Sequence, residues 1–486
     1  MTQELLQLEP TVVWEKFSAL NAVPRPSKKE EQVINFMLEF GRSLQLETFR
    51  DEVGNVIIRK PATAGMAAKK TITLQSHLDM VHQKNADTEF DFETQGIQMF
   101  VDNDWVRAKG TTLGADNGMG VAAIMALLES KEIPHPALEA LFTIDEETGM
   151  TGAKGLKGGV LQGDILLNLD TEEDDEIDIG CAGGIDVTAR GSYKEVEIHG
   201  NVQGYQLSVT GLQGGHSGMD IHRGFGNANK IMNRLLHEAE HKGGLTIVSV
   251  QGGGLRNAIP RESSALFKVE KEKESVVYEA ITKLADDIGK ELAITEPKLA
   301  ILLRKADVAN KGMEKSAQEQ FLQAVYAAHN GVFGMSPAIE GLVETSNNVA
   351  RVKVLHGDIK IGCLTRSSVD SAKKDLANSL SAVFKLAGYE VTLSGDYPGW
   401  NPNPDSEILE ILKKQYEEIF NEKPDVVACH AGLECGILGQ NYPDLDMISF
   451  GPTIKGAHSP DERVHIASVQ KFWKFLCNIL ANTPDI

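Results

Sequence analysis

The sequence predicts an α/β fold, a mostly parallel sheet flanked by helices, interrupted by an inserted α+β lid domain. Three observations carry that prediction. Apolar runs ending in carboxylate or imidazole occur at Thr71 to Val81, Leu141 to Glu147 and Ile165 to Asp170, and α/β character returns in the last 85 residues. From about Asp186 to Trp400 the pattern changes to short alternating strands between amphipathic helices. The 486 residues exceed what one ordinary core organises. The economical division is a discontinuous domain, 1–186 with 401–486, and an insert, 187–400.

Composition narrows the class. With 42% hydrophobic and 24% charged residues the chain is globular. The balance of 48 basic against 69 acidic residues, a net charge of −21, argues against nucleic acid or an anionic membrane as partner. Cys181, Cys363, Cys429, Cys435 and Cys477 are scattered with no Cys-x-x-Cys pair, which suits a reduced compartment and not a zinc finger. The N-terminus carries acid where a signal peptide needs base, and no apolar run approaches the roughly 18 residues of a membrane span. A cytoplasmic protein is expected.

In chain order, Trp14 to Leu20 reads as a short helix, and Ser27 as a cap for a helix over Glu30 to Leu44. Glu47 to Arg50 and Val56 to Arg59 alternate like strands about the Gly54-Asn55 turn. Thr71 to Val81 is a strand that ends in His77 and Asp79, two residues apart and so on one side of an extended backbone. Gly110 to Gly120 is a glycine-rich turn into a helix from Val121; it lacks the Gly-Lys-Ser/Thr ending of a phosphate loop. Its Asp116 is either a ligand held by a special backbone turn or an ordinary helix cap.

Glu146 and Glu147 follow the strand Leu141 to Ile144, where open α/β sheets place their ligands. Adjacent carboxylates repel unless something positive lies beside them. Either Glu147 binds a metal while Glu146 handles the proton of a water, or both are solvated at a helix start. Asp170 ends the next apolar strand. In the insert, a glycine loop from Gly211 to Gly218 holds His216, and helices are expected over Asn227 to His237, Val276 to Leu292 and Ser371 to Ala387. Further on, His458 follows the strand Met447 to Phe450. Imidazole and carboxylate without thiolate suit a pair of zinc, cobalt or manganese ions rather than a structural zinc site. Two such ions about 3.5–4 Å apart can polarise a carbonyl and activate water together.

These segments resemble the zinc-dependent peptidases of family M20, and within them the aminoacyl-histidine dipeptidase branch. The resemblance rests on Ser76-His-Leu-Asp-Met80, Gly114-Ala-Asp-Asn-Gly118, Asp145-Glu-Glu-Thr-Gly149, Asn168-Leu-Asp170, Gly214-Gly-His-Ser-Gly218, Arg256-Asn-Ala-Ile-Pro260 and Gly456-Ala-His-Ser-Pro460, in the family's order over essentially the whole chain. It implies that His77 and Asp170 hold one metal, His458 and Glu147 the other, and that Asp116 bridges them. It implies Glu146 as general base, Asp79 as the group that fixes the tautomer of His77, and a cis bond between Asp116 and Asn117. His216 would stabilise the oxyanion, and Asn257 and Arg366 would take the substrate's terminal carboxylate. His82 stands where many relatives have proline. Asp116-Asn117 in place of Asp-Lys, and Asp170 in place of glutamate, both point to the dipeptidase branch.

The expectation is a cytoplasmic enzyme with two Zn2+ per subunit, Co2+ or Mn2+ able to substitute. It would hydrolyse unblocked dipeptides, Xaa-His dipeptides included, as a homodimer built through the insert. The rival is an N-acyl-amino-acid amidohydrolase of the same family.

Overall fold

A computed structural model describes residues 4–85 and 87–486. The first three residues of the N-terminal stretch discussed above lie outside them. The chain divides into two compact units: 1–180 with 400–428 and 433–486, and 181–399 with 429–432. The crossing falls earlier than the change of pattern at Asp186, because Gly183–Ser192 is already a strand of the second unit's sheet, paired on both sides. The short return at 429–432 belongs there too: Ser346 and the His430 ring lie 2.8 Å apart.

The first unit is built on an eight-stranded sheet. Its order is Glu47–Arg50, Val56–Lys60, Leu138–Thr143, Ile72–His77, Ile165–Asn168, Asp446–Ser449, Glu176–Cys181, Asp425–Cys429. The four strands from Leu138–Thr143 to Asp446–Ser449 run parallel, and the pairs toward the first edge are antiparallel, so the sheet is mixed. Ile72–His77, Leu138–Thr143 and Ile165–Asn168 are buried at every position. These strands are covered on both faces: Ile72, Leu74, Ala140, Leu141, Ile165, Leu166 and Leu167 supply the core, while the buried polar residues Thr73, Gln75 and Glu139 are hydrogen-bonded within the sheet. Their carboxyl ends deliver His77, Glu146, Glu147 and Asp170 to one rim.

A second, four-stranded sheet brings in the far end of the sequence. Arg463–His465 pairs on one side with Ile454–Lys455 and on the other with Trp105–Ala108, the strand before the glycine turn. His458 lies in the loop between Lys455 and Arg463 and so returns to the turn that carries Asp116. The helix read from Val121 begins at Ala115, but Asp116 and Asn117 have non-helical dihedrals and the peptide between them is cis.

The second unit holds a nine-stranded antiparallel sheet, with Thr246–Gly252 and Val343–Leu355 adjacent near its middle. Its apolar side, including Val187, Ala189, Ile361 and Cys363, shares a core with Leu235, Ile281, Phe321 and Phe384 from four helices. Among the described residues no helix is long and apolar enough to cross a membrane.

Candidate metal centre

Asp79 organises the rim. It is fully buried, and its Oδ1 lies 3.3 Å from His77 Nδ1. The same carboxylate accepts the hydroxyl of Ser27 at 2.7 Å and the backbone N–H groups of Glu146 at 3.0 Å and Glu147 at 3.3 Å. Burial alone would raise its pKa, but His77, Ser27 and the Glu146 N–H outweigh that and lower it. Asp79 therefore stays anionic and fixes both an imidazole and the Glu146-Glu147 backbone. Ser27 does not cap the helix that follows, which begins at Glu31 with no side-chain cap. Its hydroxyl turns instead to Asp79.

Asp116 faces two imidazoles at once. Oδ1 lies 3.2 Å from His77 Nε2 and Oδ2 lies 3.2 Å from His458 Nε2. His458 Nε2 also lies 3.0 Å from Glu147, and His77 Nε2 lies 3.6 Å from Asp170. Three sets of donors come within 4.8 Å of one another: His77, Asp116 and Asp170; Asp116, Glu147 and His458; and His77, Glu146 and Glu147. All seven residues that the strand ends and loops supply are thus brought together in the first unit. The other three, His216, Asn257 and Arg366, lie in the second unit, where Ser217 N–H donates to Asn257 O at 2.8 Å. His82 is exposed and packs edge-on against Phe92, apart from the donor groups.

The turn that carries Asp116 is clamped by residues that pattern reading missed. Glu462 is buried and accepts the N–H groups of Leu113, Gly114, Ala115 and Asp116 at 2.7, 2.9, 2.7 and 3.3 Å. Arg25, equally buried, donates to Gly114 O at 2.6 Å and to the carbonyls of Leu78 and Asp79 at 3.1 Å each. One guanidinium thereby ties the His77–Asp79 loop to the Asp116 turn. Gly114 has φ +71°, and a Cβ there would lie 2.5 Å from Arg25 Nη2. The local signals were faint: four residues beyond His458 for Glu462, and the Pro24-Arg-Pro26 break for Arg25.

The electrostatics fit a pair of cations. Glu147 Oε1 and Asp170 Oδ1 are buried and accept no hydrogen bond. Burial, with Asp116 beside it, raises the Glu147 carboxyl to about 7; burial raises Asp170 to about 6. Glu146 is pushed well above the usual carboxylate range, by burial first and by Glu147 and Asp170 next. His458 is raised to about 11 by its bonds to Asp116 and Glu147. Without cations, protons on the imidazoles and carboxyls neutralise the cluster. Divalent ions would replace those protons.

Glu147, Asp170 and His458 all have folded pKa values above their ordinary ones, so in the metal-free fold these three groups hold more protons than in the unfolded chain across pH 5.5 to 8. Their stabilisation is complete at low pH and is lost as pH rises. Bound cations need the deprotonated ligands and act in the opposite sense. The expected result is a gap in melting temperature between metal-loaded and chelator-stripped protein that widens from pH 5.5 to pH 8. Scanning calorimetry of both forms measures it, and a gap that narrows rejects the ligand set. A second expectation concerns Asp79→Asn: metal affinity falls by about 10–100-fold, as titration with a chromophoric chelator reads directly.

In the second unit, His216 Nδ1 accepts the N–H groups of Gly218 at 3.2 Å and Met219 at 3.1 Å. Those two bonds leave the ring proton on Nε2. Arg366 Nη2 lies 3.4 Å from that same Nε2.

Comparison with known proteins agrees with the geometry. Residues 73–482 match the model of peptidase family M20/M25/M40. The chain is 42% identical to the cytosol non-specific dipeptidase of Escherichia coli over 481 residues, 99% of each chain. It superposes on the crystal structure of the aminoacylhistidine dipeptidase from Vibrio alginolyticus with a TM-score of 0.91 and 43% identity, covering 100% of this chain and 99% of the other. Aminopeptidase PepT of Bacillus cereus shares the fold, with a TM-score of 0.57 and 16% identity over 98% of each chain.

Proposed function

This chain belongs to peptidase family M20/M25/M40, and from that premise we propose that it is a metal-dependent dipeptidase of broad specificity, acting on unblocked dipeptides that include those ending in histidine. The observation that carries the reading is Asp116, whose two oxygens face His77 and His458 beside buried oxygens of Glu147 and Asp170 that accept no hydrogen bond. His77, Asp170, Asp116, Glu147 and His458 would hold two Zn2+, with Co2+ or Mn2+ able to substitute. Bound there, such a pair supplies Lewis acidity and lowers the pKa of water.

The chain's own groups do the rest. Glu146, held by its N–H on Asp79, takes the proton of the attacking water and delivers it to the leaving amine. Burial raises its pKa above the usual carboxylate range, which suits a group that must return the proton it accepts. His216 presents Nε2–H to the oxyanion, and Asn257 and Arg366 take the substrate's carboxylate. A cytoplasmic homodimer completes the reading. Cytosol in the name of the Escherichia coli relative and five free cysteines support the compartment; sedimentation velocity tests the dimer.

The amidohydrolase alternative differs in what it does with the substrate's amino group. The test is hydrolysis of Ala-His against N-acetyl-Ala-His by metal-replete enzyme. A dipeptidase cleaves the first and spares the second; the reverse preference overturns the proposal.

A further inference from the structure

Arg366 is 4% exposed, and its partners are Ser217 Oγ at 3.4 Å, Tyr397 Oη at 2.9 Å and the His216 ring at 3.4 Å. None of them is an anion. The Asp186 carboxylate attracts the guanidinium electrostatically but is paired with Arg256 at 3.1 Å, so Arg366 has no counter-ion among its hydrogen-bond partners. The proposed function supplies one in the substrate's carboxylate. What remains open in that reading is how the guanidinium is held at the right angle beforehand.

The sheet gives the answer. Ser346, Arg366, Gly184 and Tyr397 lie opposite one another across four neighbouring strands, so they form one row on one face. Tyr397 is two strands from Arg366, about 10 Å in backbone terms. Its phenol crosses the intervening strand because the residue there is Gly184. A Cβ at Gly184 would lie 2.7 Å from the Cε1, Cζ and Oη atoms of Tyr397. The Tyr397 backbone is fixed in turn. Its carbonyl accepts from Lys373 Nζ, and Lys373, buried, pairs with Asp370 at 3.0 Å and Asp396 at 2.8 Å.

We propose that Tyr397 is a positioning residue for the substrate's carboxylate, and that Gly184 is the gap that lets it act. The phenol oxygen accepts one N–H of Arg366 Nη1 and Ser217 accepts Nε–H, which fixes the rotation of the guanidinium. The remaining N–H of Nη1 and the Nη2 edge then face the anion together with His216 Nε2–H. Burial raises the pKa of Tyr397, so it stays a neutral phenol through the working range. The inference rests on the reading of Arg366 as the carboxylate group.

The test compares Ala-His with its C-terminal amide in metal-loaded wild type, Tyr397→Phe, Gly184→Ala and Arg366→Ala. Tyr397→Phe keeps the ring and is expected to raise KM for Ala-His by about tenfold, with kcat within about twofold and KM for the amide unchanged. Gly184→Ala, which displaces the ring, should reproduce that selective loss. Arg366→Ala should abolish the preference for the free acid. If Arg366→Ala keeps the preference, the carboxylate reading itself fails. If Arg366→Ala loses it while Tyr397→Phe keeps it, only the positioning role is overturned. Equal loss on acid and amide in Tyr397→Phe, or a lowered melting temperature as its sole effect, also overturns that role by making it merely structural.

Discussion

Glu146→Gln is expected to lower kcat for Ala-His by about a thousandfold or more while both metals stay bound. The amide has nearly the shape of the carboxyl and leaves the backbone N–H on Asp79 untouched, so the surroundings should hold. What it lacks is the lone pair that takes a proton and the acidity that returns it. The raised pKa of Glu146 comes first from burial and then from Glu147 and Asp170 beside it, a perturbation that marks a group suited to proton transfer. The decisive measurement pairs turnover with elemental analysis of the purified variant. Near wild-type turnover rejects Glu146 as the base; lost metal makes it a ligand instead.

Asp116→Ala is expected to lose metal and activity together, with turnover at background. One carboxylate offers an oxygen to each of His77 and His458, at 3.2 Å from both rings. Removing it also strips an anionic partner from both rings, the largest one for His458. Burial opposes ionisation of Asp116, yet its bonds to His458 and His77 outweigh burial and hold it anionic in the metal-free chain. The variant should therefore melt at nearly the same temperature with and without added zinc, whereas the wild type is raised by it. Two ions per chain in Asp116→Ala would remove it from the ligand set.

Three causes separate what pattern could find from what it could not. The buried strands Ile72–His77, Leu138–Thr143 and Ile165–Asn168 were legible from their apolar positions, Leu74, Leu141, Phe142, Ile165, Leu166 and Leu167, and from the chemistry-bearing residues that end them at the rim, His77, Glu146 and Asp170. The helix Lys315–Ala327 escapes pattern reading although Ala317, Phe321, Leu322 and Val325 are on its buried face, since the polar residues between them mask the period. Ser27 looked like a cap because its local offset is right for one. A hydroxyl within reach of a buried carboxylate gains more from that charge than from a backbone N–H at a solvated helix start.

The sequence by itself determined which residue types could serve: the imidazoles, the carboxylates, the glycine turn before Asp116, and the interruption by a second pattern of strands. Those are local properties, written in hydrophobic period and in the identity of each side chain. Only the tertiary structure decided that Arg25 and Glu462 clamp the Asp116 turn from positions far away in the chain, and that Tyr397 reaches Arg366 across Gly184. The physical reason is that a hydrogen bond or an ion pair depends on a distance in space, and sequence separation carries no information about that distance until strands have paired in register.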